Sequence, residues 1–279
     1  MISTRRPMNR GPQQRTGGST RLLIALVMVA FALISYFGSR QNNAITGETQ
    51  YISLTEQQEI ALGVQSAPEM IAQHGGLYPD ERVQDYVDEV GFKLVNETYL
   101  RDTNPRWEYE FHLLRDPDTI NAFALPGGQI FITAALYSKF TTEGQLAAVL
   151  AHEVGHVVAR HGAQRISQQN LTQGLIGAVF AASGDQGTAQ MAALAGQLIN
   201  MKYGRDDEIQ SDTLGIGLMI DAGYDPRSMI SVMDILAQSA GGAPPEFFST
   251  HPNPDNRIEK IQATIDEFFP SGVPDSLIP

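Results

Sequence analysis

The longest apolar segment of the chain lies close to its N-terminus. Residues 22–37 form an uncharged run of 16 residues, and five arginines precede it. As a helix this run would be about 24 Å long, slightly less than the thickness of a hydrocarbon core. Bulky residues occupy the positions where a small-x-small cleavage site would follow, so the pattern predicts an uncleaved membrane anchor over 22–38. The arginines predict a basic cytoplasmic tail, 1–21, with the rest of the chain outside the cytoplasm.

Beyond the anchor, the pattern predicts an α+β fold that is mainly helical. Residues 39–50 are polar and typical of a linker, 51–270 are expected to form one folded domain, and 271–279 a tail. Apolar positions recur with helical spacing over 81–99, whereas residues 107–114 alternate between apolar and polar as in a strand.

A hairpin and a helix are predicted in succession at the centre of the chain. A Pro-Gly-Gly turn at 126–128 separates two strand-like segments, because its glycines allow the positive φ values of a tight turn. The following segment, 142–162, has helical spacing. Thr142-x-x-Gln145 predicts a capping box at its start, and Gly162 predicts its C-terminal end. A small sheet is therefore expected beside this helix.

Two further segments, 163–182 and 188–203, are rich in Ala, Gly and Leu. Their small residues predict closely packed helices. The apolar part of the first, 171–182, is too short and too often interrupted by glycine to span a membrane, although it could contact one.

The predicted central helix contains an H-E-x-x-H motif formed by His152, Glu153 and His156. Histidines four residues apart lie on one face of a helix, so both imidazoles can reach a single metal ion. Glu153 would then be close enough to take a proton from an activated water. Two core histidines with ordinary hydrogen-bond partners are the simpler interpretation, because the motif also arises by chance.

A catalytic zinc ion needs three protein ligands and an open position for water. The chain contains no cysteine, so the third ligand must be a histidine or a carboxylate. The pattern H-E-x-x-H-x-x-G-x-x-H is not present, and His161 lies about 140° around the helix from His156, which is too far to share the ion. Glu208 and Asp212, four residues apart at the start of a later helix, are the candidate carboxylates.

If the metal-bound water attacks a carbonyl group, a positive or hydrogen-bond-donating side chain must also stabilise the oxyanion of the transition state. His251 lies in a proline-flanked loop and Arg257 follows it closely. A stiff loop of this kind can hold side chains beside a cleft, so we expect both residues near the reacting atoms.

The distribution of charge argues against nucleic acid as a partner. Residues 1–40 contain six arginines and no acidic residue. Residues 41–279 contain 13 Lys and Arg against 31 Asp and Glu, which gives 13 − 31 = −18. A domain with this net charge would repel a phosphate backbone.

Together these residues resemble the membrane-associated zinc metallopeptidases of the gluzincin type that include HtpX, the CAAX prenyl endopeptidases and the BepA/LoiP-type periplasmic proteases. The resemblance extends over about residues 50–270. The usual E-x-x-A-D motif contains Ser211 in place of alanine, which leaves both carboxylates in place. The motifs that carry the resemblance are Asn121-Ala-Phe-Ala-Leu-Pro-Gly-Gly128, His152-Glu-Val-Gly-His156, Glu208-x-x-Ser-Asp212, and His251-Pro252 followed by Arg257.

The resemblance implies one zinc ion per chain and assigns roles to the carboxylates. Glu208 would be the third ligand beside the two motif histidines, and Asp212 would accept the second ring N–H of one of them. His251 would approach the metal or the transition state, and Arg257 would support it.

The resemblance also implies the substrate and the location. Polypeptides, above all misfolded or misassembled envelope proteins, would bind in a groove lined by one strand. The single anchor resembles that of the small bacterial members, so we expect a bacterial inner-membrane protein with a periplasmic catalytic domain. The strand residues implied to contact substrate are Asn121, Ala122, Phe123 and Ala124.

Three alternatives to an active peptidase are left open by the sequence, and one of them is a plain membrane-tethered helical scaffold, which would bind no stoichiometric zinc. If His251 occupies the fourth zinc position, it displaces water and the enzyme is latent. A chaperone or assembly factor that keeps zinc without turnover is the third alternative, and the intact Glu153 argues against it.

Overall fold

The structure confirms a mainly helical chain with two small sheets. A computed structural model describes residues 18–103, 107–183, 204–239, 245–251 and 256–279. The helices in these ranges are α1 (Gly18–Gly38), α2 (Glu56–Gln73), α3 (Glu81–Asn96), α4 (Ala134–Tyr137), α5 (Glu143–Val158), α6 (His161–Ser183), α7 (Arg205–Asp221), α8 (Arg227–Gln238), α9 (Phe247–Thr250) and α10 (Arg257–Phe268). The strands are β1 (Arg40–Asn42), β2 (Thr49–Tyr51), β3 (Glu110–Leu114), β4 (Ala122–Ala124) and β5 (Gln129–Thr133).

Helix α1 contains the apolar run that the sequence predicts as an anchor. It is long and apolar enough to cross a membrane, and only Ala25 and Ala32 are buried within it. Its large side chains face outward, as with Phe31, whose exposed fraction is 74%. Of the predicted basic tail, 1–21, residues 1–17 lie outside the described residues.

The segment expected as a linker, 39–50, folds onto the domain. β1 and β2 form an antiparallel hairpin directly after α1. The Asn43 side chain donates to the carbonyl of Val158 (2.9 Å), and the Gln50 side chain donates to the carbonyl of Ala159 (2.7 Å). The hairpin therefore supplies hydrogen-bond donors to carbonyl groups at the C-terminal end of α5.

The predicted central hairpin is confirmed as β4 and β5, which pair in antiparallel fashion. The turn between them contains Gly127 and Gly128, with φ values of 90° and 115° that only glycine adopts readily. The predicted strand at 107–114 becomes β3, which lies parallel to β5. The strand order is β3-β5-β4, so β4 forms one edge of this sheet.

Helix α5 is the central element of the core and is buried from Leu146 to Val158. It packs against α3, α7, α8 and β4. The approach to α7 is close because Gly155 has no side chain: a Cβ there would lie 2.8 Å from the carbonyl oxygen of Ser211. This contact brings the start of α7 beside the H-E-x-x-H motif.

The predicted start of α5 is confirmed, since Thr142 is its N-cap, but the predicted capping box and the predicted C-terminal end are wrong. Thr142 precedes the first turn but makes no side-chain capping bond, because Gln145 instead accepts from the backbone N–H of Thr141. The helix ends at Val158, and Gly162 lies inside α6.

The left-handed residue at this end is Arg160, with φ of 58°. Its guanidinium donates to the carboxylate of Glu59, to the side chain of Gln41 and to the carbonyl of Leu54. These buried contacts hold a backbone conformation that glycine would ordinarily supply.

Candidate metal centre

The two motif histidines lie on one buried face of α5. The ring centroids of His152 and His156 are 4.7 Å apart, and their Nε2 atoms are 3.1 Å apart. Both side chains are almost completely buried. The helical spacing expected from the sequence therefore brings two imidazole nitrogens to one point.

Helix α7 contributes the predicted third group. Glu208 Oε2 lies 3.4 Å from His152 Nε2, and Glu208 Oε1 lies 3.4 Å from His156 Nε2. Its carboxylate is completely buried. Burial would raise the pKa of Glu208, but hydrogen bonds from His152, His156 and His251 hold it well below its ordinary value. Glu208 is therefore a carboxylate in this site.

His251 completes a group of four possible ligands. Its Nδ1 lies 3.2 Å from Glu208 Oε1 and 3.3 Å from His152 Nε2. One donor atom each from His152, His156, Glu208 and His251 lies within 4.8 Å of the others. The His251 ring stacks on Phe247 with a centroid distance of 4.5 Å, and this contact fixes the orientation of the imidazole.

Hydrogen bonds on the outer side of the two motif histidines turn their Nε2 atoms toward the site. His152 Nδ1 lies 2.8 Å from Asp212 Oδ1, so this nitrogen keeps a proton and Nε2 is the ring nitrogen that faces the site. Burial lowers the pKa of His152, but hydrogen bonds to Asp212 and Glu208 outweigh it and raise the pKa to about 9. Nε2 therefore also carries a proton near neutral pH when no metal ion is bound, and a metal ion at Nε2 would displace that second proton.

His161 lies beside the outer ring nitrogen of His156, as Asp212 lies beside that of His152. The sequence did not indicate this partner. The Nε2–H of His161 donates to Gln210 Oε1 (2.9 Å), which leaves the His161 Nδ1 lone pair facing His156 Nδ1 at 2.9 Å. His156 then donates from Nδ1 and keeps its Nε2 lone pair inward. The spacing of five residues places His161 on the far side of the His156 ring, outside the group of four possible ligands.

Arg257 lies behind the ligands, where it contacts both acids of α7. It donates two hydrogen bonds to Asp212, at 2.7 and 2.8 Å, and its Nη1 lies 3.2 Å from Glu208 Oε2. Its exposed fraction is only 2%. Burial raises the pKa of Asp212, but the charge of Arg257 and the bond to His152 outweigh it, so the pKa is lowered.

Glu153 is buried beside the cluster without a hydrogen bond to either carboxylate oxygen from the described residues. Its Oε1 lies 3.6 Å from His251 Nε2. Burial raises the pKa of Glu153 above its ordinary value. A carboxylate of raised pKa next to the ligand cluster has the properties of a proton acceptor.

The fit of a cation is supported by this donor set. The Nε2 atoms of two imidazoles and a carboxylate converge on one point, and a cation there would take the place of the imidazole proton that now lies between them. The combination of His nitrogen and carboxylate oxygen suits zinc. The residues therefore fit a metal ion, and zinc is the typical ion for this set.

Strand β4 lies at the side of the cluster. Ala124 lines a small cleft together with His156 and Arg160. The backbone of Asn121 is bonded to Thr133, which ties the start of β4 to β5. The predicted substrate strand, residues 121–124, is thus an edge strand beside the candidate site.

The fold and the site together define a metallopeptidase domain, in which an H-E-x-x-H helix meets a glutamate from a following helix. Residues 81–265 match peptidase family M48, and the chain belongs to this family. The matched range includes all four possible ligands as well as Glu153 and Asp212. The resemblance that the four motifs indicate is confirmed.

The chain is similar to two groups of named peptidases. The beta-barrel assembly-enhancing protease of Escherichia coli (strain K12) is 30% identical over 212 residues, covering 72% of this chain and 42% of that protein. The Yersinia pestis protein of that name is 30% identical over 236 residues, covering 80% and 47%. The mitochondrial metalloendopeptidase OMA1 of Schizosaccharomyces pombe is 33% identical over 192 residues, covering 65% and 53%. The chain spans about half the length of these curated relatives.

Proposed function

We propose that this chain is a membrane-anchored zinc metalloendopeptidase that hydrolyses peptide bonds of envelope proteins. The observation that carries the proposal is the convergence of His152, His156 and Glu208 on one buried point, with Glu153 beside it. Membership of peptidase family M48 supports the reaction class.

His152, His156 and Glu208 would hold one zinc ion. The ion would supply a Lewis acid that polarises the scissile carbonyl and acidifies a water molecule. Glu153 accepts the proton of the attacking water and returns it to the leaving amine. Its raised pKa suits the first step, because a carboxylate of higher pKa is a stronger base.

The surrounding residues hold the rings of the ligand histidines in the required orientation. Asp212 accepts from His152, and His161 accepts from His156. Arg257 offsets the charge of two buried carboxylates, since it contacts both Asp212 and Glu208. These contacts favour a supporting role for Arg257 over a direct one at the oxyanion.

An extended peptide would bind along the free edge of β4. Edge strands offer backbone groups that a peptide can pair with, and this edge lies beside the cluster. The residues proposed to line the groove are Asn121, Ala122, Phe123 and Ala124. Quality control of misassembled envelope proteins is proposed because two of the relatives are named for enhancing β-barrel assembly.

The proposed location is a bacterial inner membrane, crossed once by α1. The arginines before α1 favour a cytoplasmic N-terminus and a periplasmic peptidase domain. The proposed domain limits are 51–270 for the peptidase domain and 22–38 for the anchor, although the structure adds the β1–β2 hairpin to the folded part.

The direct test compares the wild-type full chain with the Glu153→Gln variant in zinc content and cleavage of a labelled casein. Removal of the proton acceptor is expected to lower cleavage about 10²–10⁴-fold while one zinc per chain remains. Glu259→Gln, an exposed change on α10, is the matched control and should leave both values unchanged. Equal cleavage by wild type and Glu153→Gln would refute the mechanism, and zinc without any cleavage would favour a chaperone or assembly factor.

A latent form of the same enzyme is the second candidate, and the position of His251 favours it. The His251 ring lies within the ligand cluster, where it could fill the fourth position of a tetrahedral zinc site. The His251→Ala change should then raise casein cleavage several-fold at unchanged zinc content. A fall in cleavage would instead assign His251 to the reaction. X-ray absorption at the zinc edge of the resting protein distinguishes a third imidazole from a water oxygen.

If the wild type proves latent, the Glu153→Gln comparison is made in the His251→Ala background.

A further inference from the structure

Helix α6 leaves the peptidase domain and runs alongside the membrane anchor. A Cβ added at Gly174 would lie 2.9 Å from the Cβ of Ala32, and one added at Gly177 would lie 2.9 Å from the side chain of Met28. The hydroxyl of Tyr36 is close to the side chain of Gln168, where the two helices line one cleft. Residues later in α6 thus contact residues earlier in α1, so the two helices are antiparallel.

The depth of α6 follows from this register. Gln168 is level with Tyr36 at the end of the apolar run of α1, and α6 continues for 15 further residues to Ser183. At 1.5 Å per residue these extend about 22 Å along α1. This length is close to that of the apolar run itself, about 24 Å over 22–37.

The composition of α6 becomes more apolar from Gln168 toward Ser183. Residues 166–183 contain no charged side chain, and the polar ones are concentrated before 174. From 174 to 182 every residue is Gly, Ala or a large apolar residue. Val179 and Phe180 expose 40% and 45% of their surface. The exposed apolar end of α6 therefore lies at the depth of the apolar surface of α1.

Hydrogen bonds fix the position of the peptidase domain relative to α1. The hairpin that follows α1 is bonded to the end of α5 through Asn43 and Gln50. Ser53, just after this hairpin, is bonded through its backbone N–H to the hydroxyl of Ser167 on α6. Two connections therefore join the anchor to the peptidase domain, one through each helix.

We infer that α6 enters the lipid bilayer beside α1, with residues 174–183 in contact with acyl chains. The inference rests on the proposal that α1 spans a membrane. A side chain that projects from a helix packed against a spanning helix, at the same depth, meets lipid unless protein covers it. Acyl chains are favoured over a second copy of the chain because the exposed apolar surfaces of α1 and α6 are continuous with each other.

One consequence concerns the position of the metal centre. His161, which contacts His156, is seven residues before Gln168 on the same helix. The metal centre is thus held roughly 10 Å, measured along α6, beyond the level of Tyr36. Substrate segments close to the membrane surface would reach it most easily.

The test uses single cysteines, because the natural chain has none. Val179→Cys and Phe180→Cys in the full chain are labelled with an environment-sensitive fluorophore and reconstituted in phosphatidylcholine–phosphatidylglycerol vesicles. Phe31→Cys on the exposed face of α1 is the lipid control, and Ala237→Cys on the exposed face of α8 is the aqueous control. Circular dichroism confirms that each labelled variant is folded.

Quenching of the α6 probes by nitroxide-labelled acyl chains is expected to equal that at position 31 and exceed that at 237 at least twofold. Iodide in the buffer should show the opposite order. Quenching by lipid at 31 but not at 179 or 180 would overturn the inference alone, and cross-linking of Phe180→Cys between two chains would then assign the surface to a dimer. Absence of lipid quenching at 31 would overturn the proposed anchor as well. None of these results depends on peptidase activity.

Discussion

At the scale of single residues, the candidate site is organised by hydrogen bonds on the far side of the ligands. His152 is oriented by Asp212, and His156 by His161. A neutral imidazole presents one lone pair only if its other nitrogen carries the proton, so each outer partner decides where a lone pair points. The site therefore depends on residues that would never touch a metal ion.

His161→Ala is expected to weaken zinc binding about 10–100-fold, because His156 loses the acceptor that fixes its tautomer. Competition with a fluorescent chelator measures this affinity in the purified full chain. Cleavage at saturating zinc should change much less than zinc affinity. Ser211→Ala is the control, since its hydroxyl lies 3.4 Å from His161 Nδ1 and contributes little. Unchanged zinc affinity in His161→Ala would contradict the role of His161.

At the scale of elements, the site exists because α5 and α7 come unusually close. Gly155 on α5 faces the backbone of Ser211, and Gly215 on α7 would place a Cβ 3.2 Å from the backbone of Ala151. Only helices without side chains at these points can bring Glu208 within reach of both imidazoles. The glycine inside H-E-V-G-H thus serves packing, although it lies within the chemical motif.

Gly155→Ala is expected to force α5 and α7 apart and to lower the free energy of unfolding by about 1–3 kcal/mol. Zinc affinity should fall too, because Glu208 moves away from the imidazoles. Gly217→Ala on α7 is the matched control: its Cβ would meet only a Phe268 ring atom at 4.0 Å. That change should stabilise the helix by up to about 1 kcal/mol. Denaturant unfolding and chelator competition measure both effects, and equal behaviour of the two variants would refute the argument.

At the scale of the whole molecule, the metal centre joins elements that are distant in sequence. The candidate ligands come from α5, from α7 and from the residue after α9, and Arg257 at the start of α10 is bonded to Asp212. A cation that binds all of these would stabilise the folded chain, since the unfolded chain does not hold the ligands together.

Removal of zinc by a chelator should therefore lower the melting temperature. At a zinc concentration 100 times the Kd, binding contributes about 2.7 kcal/mol, which corresponds to about 5–10 °C for a domain of this size. Differential scanning calorimetry before and after dialysis against EDTA measures the shift, and added zinc should restore it. The Glu208→Gln variant should show a far smaller shift, and an identical shift there would exclude Glu208 as a ligand.

The sequence by itself determined the elements that depend on local pattern. The apolar N-terminal helix, the central hairpin, the H-E-x-x-H helix and the pairing of Glu208 with Asp212 on one helix face all follow from spacing over a few turns. The four motifs were sufficient to indicate peptidase family M48, because each combines residue type with fixed spacing.

Only the tertiary structure decided features that depend on contacts between distant segments. The hairpin in place of the linker is held by Val158 and Ala159, more than 100 residues away. The left-handed turn after α5 falls on Arg160 because Glu59 pairs with it. The partnership of His161 with His156 depends on Gln210 in α7. Such side chains show no periodic pattern of their own, and their partners are chosen by packing that a local reading of the sequence does not contain.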